Sequence, residues 1–206
     1  MNKFKEVPAS KLSLAKRSAS YGIAINDADY LVEQIVKGKR VTCPYYRKWH
    51  SMIERCYSVA YQEKYPAYKG CTVATNWLIF TNFKKWMKGQ DWEFKQLDKD
   101  ILSQGNKIYS ESNCIFVPQS INSLFITRGA ARGSYKIGVS FDRVQSKFRA
   151  TCNNGSGKPV TIGRSLDENE AHKMYKKYKY KLISDIALQQ LEPLRSAMLN
   201  YVIPEY

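Results

Sequence analysis

The chain has 206 residues, with 33 Lys+Arg against 18 Asp+Glu and a formal net charge of +15. Its 44% hydrophobic and 13% aromatic content can bury a core, which excludes a disordered basic tail. No apolar run approaches the roughly 20 residues of a membrane span, and Met1 to Pro8 contain no apolar signal region. A cytoplasmic protein without a membrane partner is therefore expected.

A positive excess of this size favours a polyanion partner through long-range attraction and counterion release. It is densest over residues 133–181, with 11 basic residues against 4 acidic. The five cysteines, Cys43, Cys56, Cys71, Cys114 and Cys152, form no C-x-x-C pair and do not match the spacing of a zinc knuckle or ribbon. They read as buried thiols, and zinc is not expected.

In chain order, Asn26-Asp27-Ala28-Asp29 reads as a turn or helix start before the apolar run Tyr30 to Val36, and Lys37-Gly38-Lys39-Arg40 as a basic turn. A helix is expected from Pro44, because Trp49, Met52, Ile53 and Cys56 recur at i, i+3, i+4 and i+7. Trp77, Phe80, Phe83 and Trp86 predict a second aromatic helix, with Lys84, Lys85 and Lys88 outside. These aromatics read as core in preference to base-stacking platforms. Thr127 to Ser134, with two glycines and the arginines Arg128 and Arg132, reads as a flexible basic linker.

Beyond it the rhythm changes to alternation. Ile137, Val139 and Phe141, then Phe148, Ala150 and Cys152, alternate with polar or basic residues. Asp142 to Gln145 and Asn153 to Gly157 read as turns, and Pro159 to Gly163 as a third strand. An antiparallel meander with one apolar and one basic face is predicted. Asp167 is a candidate N-cap, followed by a helix whose stripe Ala171, Met174, Tyr175, Tyr178, Leu182 and Ile186 lies on the sheet. Lys173, Lys176, Lys177, Lys179 and Lys181 are assigned to its solvated side.

Two resemblances emerge. Gly138-Val139, Phe148-Arg149-Ala150, Lys158, Ile162-Gly163 and Glu168 to Tyr175 with Ala171 resemble the Apetala-type (ethylene-response-factor) DNA-binding domain. That resemblance implies a three-stranded sheet in the major groove of duplex DNA, backed by a helix. Its contacts would come from Lys136, Arg143, Lys147, Arg149, Lys158 and Arg164, joined by Arg128 and Arg132 of the linker. Arginine can fork to guanine or to phosphate. An aromatic that usually stands beside Phe148 is replaced by Lys147.

The second resemblance runs over Trp49-x2-Met52-x2-Arg55-Cys56-Tyr57, then Trp77, Phe80 and Phe83. It continues through Leu97-Asp98-Lys99-Asp100-Ile101, Gly105-Asn106-Lys107-x-Tyr109-Ser110-x2-Asn113-Cys114 and Asn122. This series resembles phage and homing-type HNH nucleases, in which an Apetala-type domain accompanies the nuclease unit. The resemblance implies Asp98 and Asn122 as metal ligands for Mg²⁺ or another divalent cation, and Asn113 as the brace of a ββα loop. It places Lys99 in the slot of the catalytic general base. A lysine, with an ordinary pKa of about 10.4, cannot accept a proton there at neutral pH.

The expected fold is therefore α+β: a degenerate HNH-like ββα unit in a helical, aromatic-rich domain, followed by a three-stranded antiparallel sheet with a backing helix. The expected division is an N-terminal segment (1–42), an HNH-like domain (43–127), a linker (128–134), the Apetala-type domain (135–187) and a tail (188–206). The expected function is phage-type duplex DNA binding, with the nuclease unit weak or inactive. One alternative is an active metal-dependent homing or host-directed endonuclease. A second is a protein that binds and inhibits a host defence factor.

Overall fold

A computed structural model describes residues 4–126, 134–154 and 159–205. Helices and short strands alternate from the N-terminus: α1 (Lys11–Ala15), β1 (Glu33–Val36), β2 (Lys39–Thr42), α2 (Pro44–Tyr57), α3 (Val59–Lys64), β3 (Thr72–Val73) and α4 (Phe80–Lys88). Then come β4 (Gln96–Asp98), β5 (Ile108–Tyr109), β6 (Ile115–Val117) and α5 (Gln119–Leu124). The C-terminal part holds β7 (Val139–Asp142), β8 (Lys147–Asn153), β9 (Pro159–Ser165), α6 (Glu168–Ala187) and α7 (Leu194–Leu199). The fold is α+β, and the chain forms two compact units, residues 1–93 with 105–114 and residues 94–104 with 115–206.

In the first unit α2 begins with Pro44 at its first turn, where the missing N–H costs nothing. It buries Trp49, Met52, Ile53 and Cys56, as the periodicity predicts. The second aromatic element divides: Trp77 lies in a 3-10 turn (Thr75–Leu78), while Phe80 and Phe83 are buried on α4. Trp49 and Phe80 pack with ring centroids 5.5 Å apart, and Trp49 Nε1 donates to the Trp77 carbonyl at 2.7 Å. The buried indole N–H is thus satisfied as its ring enters the core.

Asp27 begins no helix. It caps α4 from a distance, accepting from Thr81 N at 2.9 Å, where Ile79 as N-cap has no side-chain bond to offer. The basic turn Lys37-Gly38 joins β1 to β2, and both residues have positive φ, 52° and 72°. This is the pairing of conformations that a two-residue hairpin requires.

In the second unit β7, β8 and β9 form the predicted antiparallel sheet, in that order. The third strand runs two residues further than the sequence suggests, to Ser165, and so includes Arg164. Asp167 caps α6 by accepting from Glu170 N at 3.0 Å. The core between α6 and the sheet contains Ile137, Val139, Ala150, Cys152, Ala171 and Tyr175. A second core joins Ile101, Val117, Ile121 and Leu124 to Ile183, Ala187, Leu194 and Met198, so residues 188–205 fold back onto this unit.

The predicted stripe of α6 is displaced. Ala171 and Tyr175 are buried, but Met174 is 37% exposed, and His172, Lys179, Ile183 and Ala187 complete the buried face. Lys179, assigned to the solvated side, is only 5% exposed. Its position four residues from both Tyr175 and Ile183 puts its methylene stem on the core face. Burial holds its ammonium below the ordinary value, and the neighbouring Cys152 acts in the opposite direction.

The five cysteines are buried thiols with no disulfide. No helix among the described residues is long and apolar enough to cross a membrane.

Candidate nucleic-acid interface

Helix α6 covers one face of the β7–β8–β9 sheet, and the opposite face carries its polar side chains. Strand alternation sends Phe148, Ala150 and Cys152 towards α6 and Lys147, Arg149 and Thr151 away from it. Ser140, Arg149 and Arg164 are register partners across the three strands, and Asp142 stands opposite Lys147. Neighbouring strands lie about 4.8 Å apart, so the two arginines project side by side. A bulge between Ala150 and Thr151 lies beside them and strengthens the local twist.

Asp142 organises this row. Its Oδ2 lies 3.4 Å from Arg164 Nε and 3.9 Å from Arg149 Nη1. Its Oδ1 accepts from Val144 N at 3.2 Å and Gln145 N at 3.3 Å, which closes the β7–β8 turn. Burial works against its charge, but the Gln145 N–H and the guanidiniums of Arg164 and Arg149 together hold the carboxyl below its ordinary value. Arg149 Nε is buried with no hydrogen-bond partner, although the side chain as a whole is 40% exposed. One carboxylate is thus shared by two arginines, and exposed Lys147 and Arg143 add positive charge at the same end of the sheet.

The remaining candidates are placed differently. Lys136 precedes β7 and does not join the row: its backbone N–H donates to Glu168 and its Nζ to Asn169, at 2.6 and 2.7 Å. Arg128, Arg132 and Lys158 lie outside the described residues, as does most of the predicted linker.

Asp98 and Asn122 belong to the second unit, where β4 pairs antiparallel with β6 and α5 follows. The ββα order is therefore present, but the side chains serve local structure. Asp98 Oδ1 accepts from Asp100 N at 2.7 Å and Ile101 N at 2.8 Å, the pattern of an Asx turn. Burial pushes this carboxyl up, against those same backbone bonds. Lys99 is only 5% exposed, and its Nζ donates to Asp100. Asn122 is half-buried on α5.

Asn113 belongs to the first unit and donates from Nδ2 to Asn106 Oδ1 at 3.3 Å. Asn106 in turn bonds the backbone of Ile108 from both ends of its amide, which supports the loop into β5. Among the described residues no three His, Cys, Asp or Glu side chains gather in a way that could hold a metal ion.

No family model, curated protein or solved structure matches this chain.

The residue that sequence reading missed is Asp142, which it assigned only to a turn. Its signal was an acidic residue closing a hairpin between basic strands. Its second role depends on Arg164, 22 residues away.

Proposed function

We propose that this chain binds duplex DNA through the open face of β7, β8 and β9, and that it does not cleave what it binds. The observation that carries this reading is the row of Arg149 and Arg164 held by one carboxylate, Asp142, on a sheet face opposite its covering helix. Two guanidiniums sharing one counter-charge keep N–H donors for a phosphate oxygen or a guanine edge. Fixing both side chains before contact also reduces the entropy lost on binding. Lys147 and Arg143 add charge that favours phosphate contact and carry no base information of their own.

The absence of cleavage rests on Asp98 and Lys99. An Asp98 oxygen bonded to two backbone N–H groups serves a turn, and a lysine donating to Asp100 offers no proton acceptor. The residues present do not make a fitting site for Mg²⁺ or another divalent cation, so no catalytic step is assigned to one.

Fluorescence anisotropy of a labelled duplex tests the reading. Wild-type protein is expected to bind, and Arg149→Ala to lose about 1–3 kcal/mol of affinity if Arg149 meets a base. Equal affinity of wild type and Arg149→Ala for every duplex would remove Arg149 from the interface.

A further inference from the structure

Strands β1 and β2 form a two-stranded sheet of their own, with Ile35 opposite Arg40 and Val36 opposite Lys39. Such a hairpin is marginal in water by itself and needs anchoring. Its anchors lie at the open end, within the first unit. Gln34 Nε2 donates to the carbonyls of Lys5 at 2.7 Å and Leu31 at 3.2 Å, and Cys43 N donates to the Val32 carbonyl at 2.8 Å. Alternation puts Val36 and Val41, both half-buried, on the face of Gln34. Glu33, Ile35, Arg40 and Thr42 share the opposite face.

That opposite face is open. Ile35 is 70% exposed across from Arg40, and Lys37, Gly38, Lys39 and Arg40 are all exposed. Lys37 and Lys39 enter no ion pair among the described residues. Arg40 lies 3.8 Å from Glu33 in an exposed pair, which stabilises little and leaves the guanidinium open to another anion. Glu33 also accepts from Thr42 Oγ1 at 3.2 Å, which holds it at the anchored end, away from the tip.

The tip is built against its own stability. Lys37 holds the first turn position at φ +52°, where Asn, Asp or Gly is favoured and a Cβ adds strain. An exposed isoleucine and a strained lysine add nothing to the core of this unit. Both suit a partner that has anionic walls and an apolar floor contact. The major groove of B-DNA is about 12 Å wide and admits a two-stranded ribbon, with phosphates along its edges and thymine methyls on its floor. Strands about 4.8 Å apart fit within that width. Anchoring at the open end presents the tip already formed, which lowers the ordering cost of contact.

We infer that the β1–β2 hairpin enters the major groove of duplex DNA, with Ile35 against a thymine methyl and Lys37, Lys39 and Arg40 towards the flanking phosphates. This contact rests on the duplex-DNA reading of the chain, but it belongs to a different unit from the arginine row and does not depend on that row.

The test is fluorescence anisotropy of the full chain with a labelled duplex over a salt series. Lys37→Gln/Lys39→Gln changes only exposed side chains, and its slope of log K against log salt should be shallower than that of wild type by about 2. Lys37→Asn places a residue that suits φ +52° and should bind more weakly while its urea midpoint stays equal or rises. Replacing thymine by uracil in the duplex removes the methyl and should weaken wild-type binding by about fourfold, the worth of one buried carbon. Ile35→Ser should show no such loss. If Arg149→Ala/Arg164→Ala binds as wild type does while the hairpin variants are weakened, the arginine row alone fails and the hairpin contact stands. A slope and affinity unchanged in Lys37→Gln/Lys39→Gln would overturn the hairpin contact, even with the arginine row upheld. Equal losses for wild type and Ile35→Ser on the uracil duplex would overturn its place in the groove. Self-association in analytical ultracentrifugation that Ile35→Ser abolishes would assign the face to a second copy and overturn the proposal as well.

Discussion

Gly138 lies so close to the ring of Tyr175 that no side chain fits at position 138. A Cβ there would collide with Tyr175 Cδ2 and Cγ and lie 2.6 Å from Cε2. Its φ of +78° independently disfavours any residue with a side chain. Tyr175 is thereby seated directly on the chain entering β7, which fixes α6 over the sheet and leaves the opposite face to the arginine row.

Gly138→Ala is expected to destabilise the second unit by more than about 1–3 kcal/mol, because overpacking adds to the backbone strain. Gly163→Ala is the control. Its new Cβ would meet the end of the Met174 side chain, Sδ at 2.9 Å and Cε at 4.0 Å, and a thioether can swing aside. Urea denaturation monitored by circular dichroism should show a lowered midpoint for the first variant and little change for the second. A similar midpoint for both would contradict the close seating of Tyr175.

The acid response of the sheet face follows from Asp142. Its folded carboxyl is held below the ordinary 3.8, so its contribution to stability is fully present above that value and is lost as pH falls through the lower folded one. Between pH 5 and 8 the Asp142 carboxylate should therefore stay ionised. An NMR titration of the Asp142 side-chain carboxyl carbon is expected to give a midpoint below 3.8. Asp142→Asn should remove that titration and broaden the resonances of the 143–146 turn. A midpoint above the ordinary value would show that the arginines do not hold this carboxylate.

Much of this architecture was legible because it is written locally. The spacing of Trp49, Met52, Ile53 and Cys56 specifies a helix face, and alternation around Phe148, Ala150 and Cys152 specifies a strand. The Asp167 cap is equally local. What stayed hidden depends on distant partners or on atoms within a side chain. Asp27 caps a helix more than fifty residues away, and Asp142 is defined by two arginines on other strands. Lys179 was misplaced because a residue-level pattern treats lysine as polar, whereas its stem packs like an aliphatic chain. Pairing of β4 with β6 was implied only by the nuclease resemblance, since 16 residues separate the two strands.

The nuclease question has a direct assay. With Mg²⁺, Mn²⁺ or Ni²⁺ the wild-type protein is expected to retard supercoiled plasmid in a gel and leave it uncut. Lys99→His supplies the missing proton acceptor, yet Asp98 Oδ1 remains tied to Asp100 and Ile101, so any nicking should be weak. Nicking by the wild type that disappears in Asp98→Ala while binding persists would establish an active enzyme and refute the structural role assigned to Asp98.

The salt dependence of duplex affinity reports how many phosphates this sheet face neutralises. Each phosphate neutralised on B-DNA contributes about −0.9 to the slope of log K against log salt. The wild-type protein is predicted to show a steep negative slope, and Arg149→Ala/Arg164→Ala a slope shallower by about 2 if both arginines meet phosphate. An affinity independent of salt, or a slope and affinity unchanged in the double variant, would contradict the assignment of this sheet face to DNA.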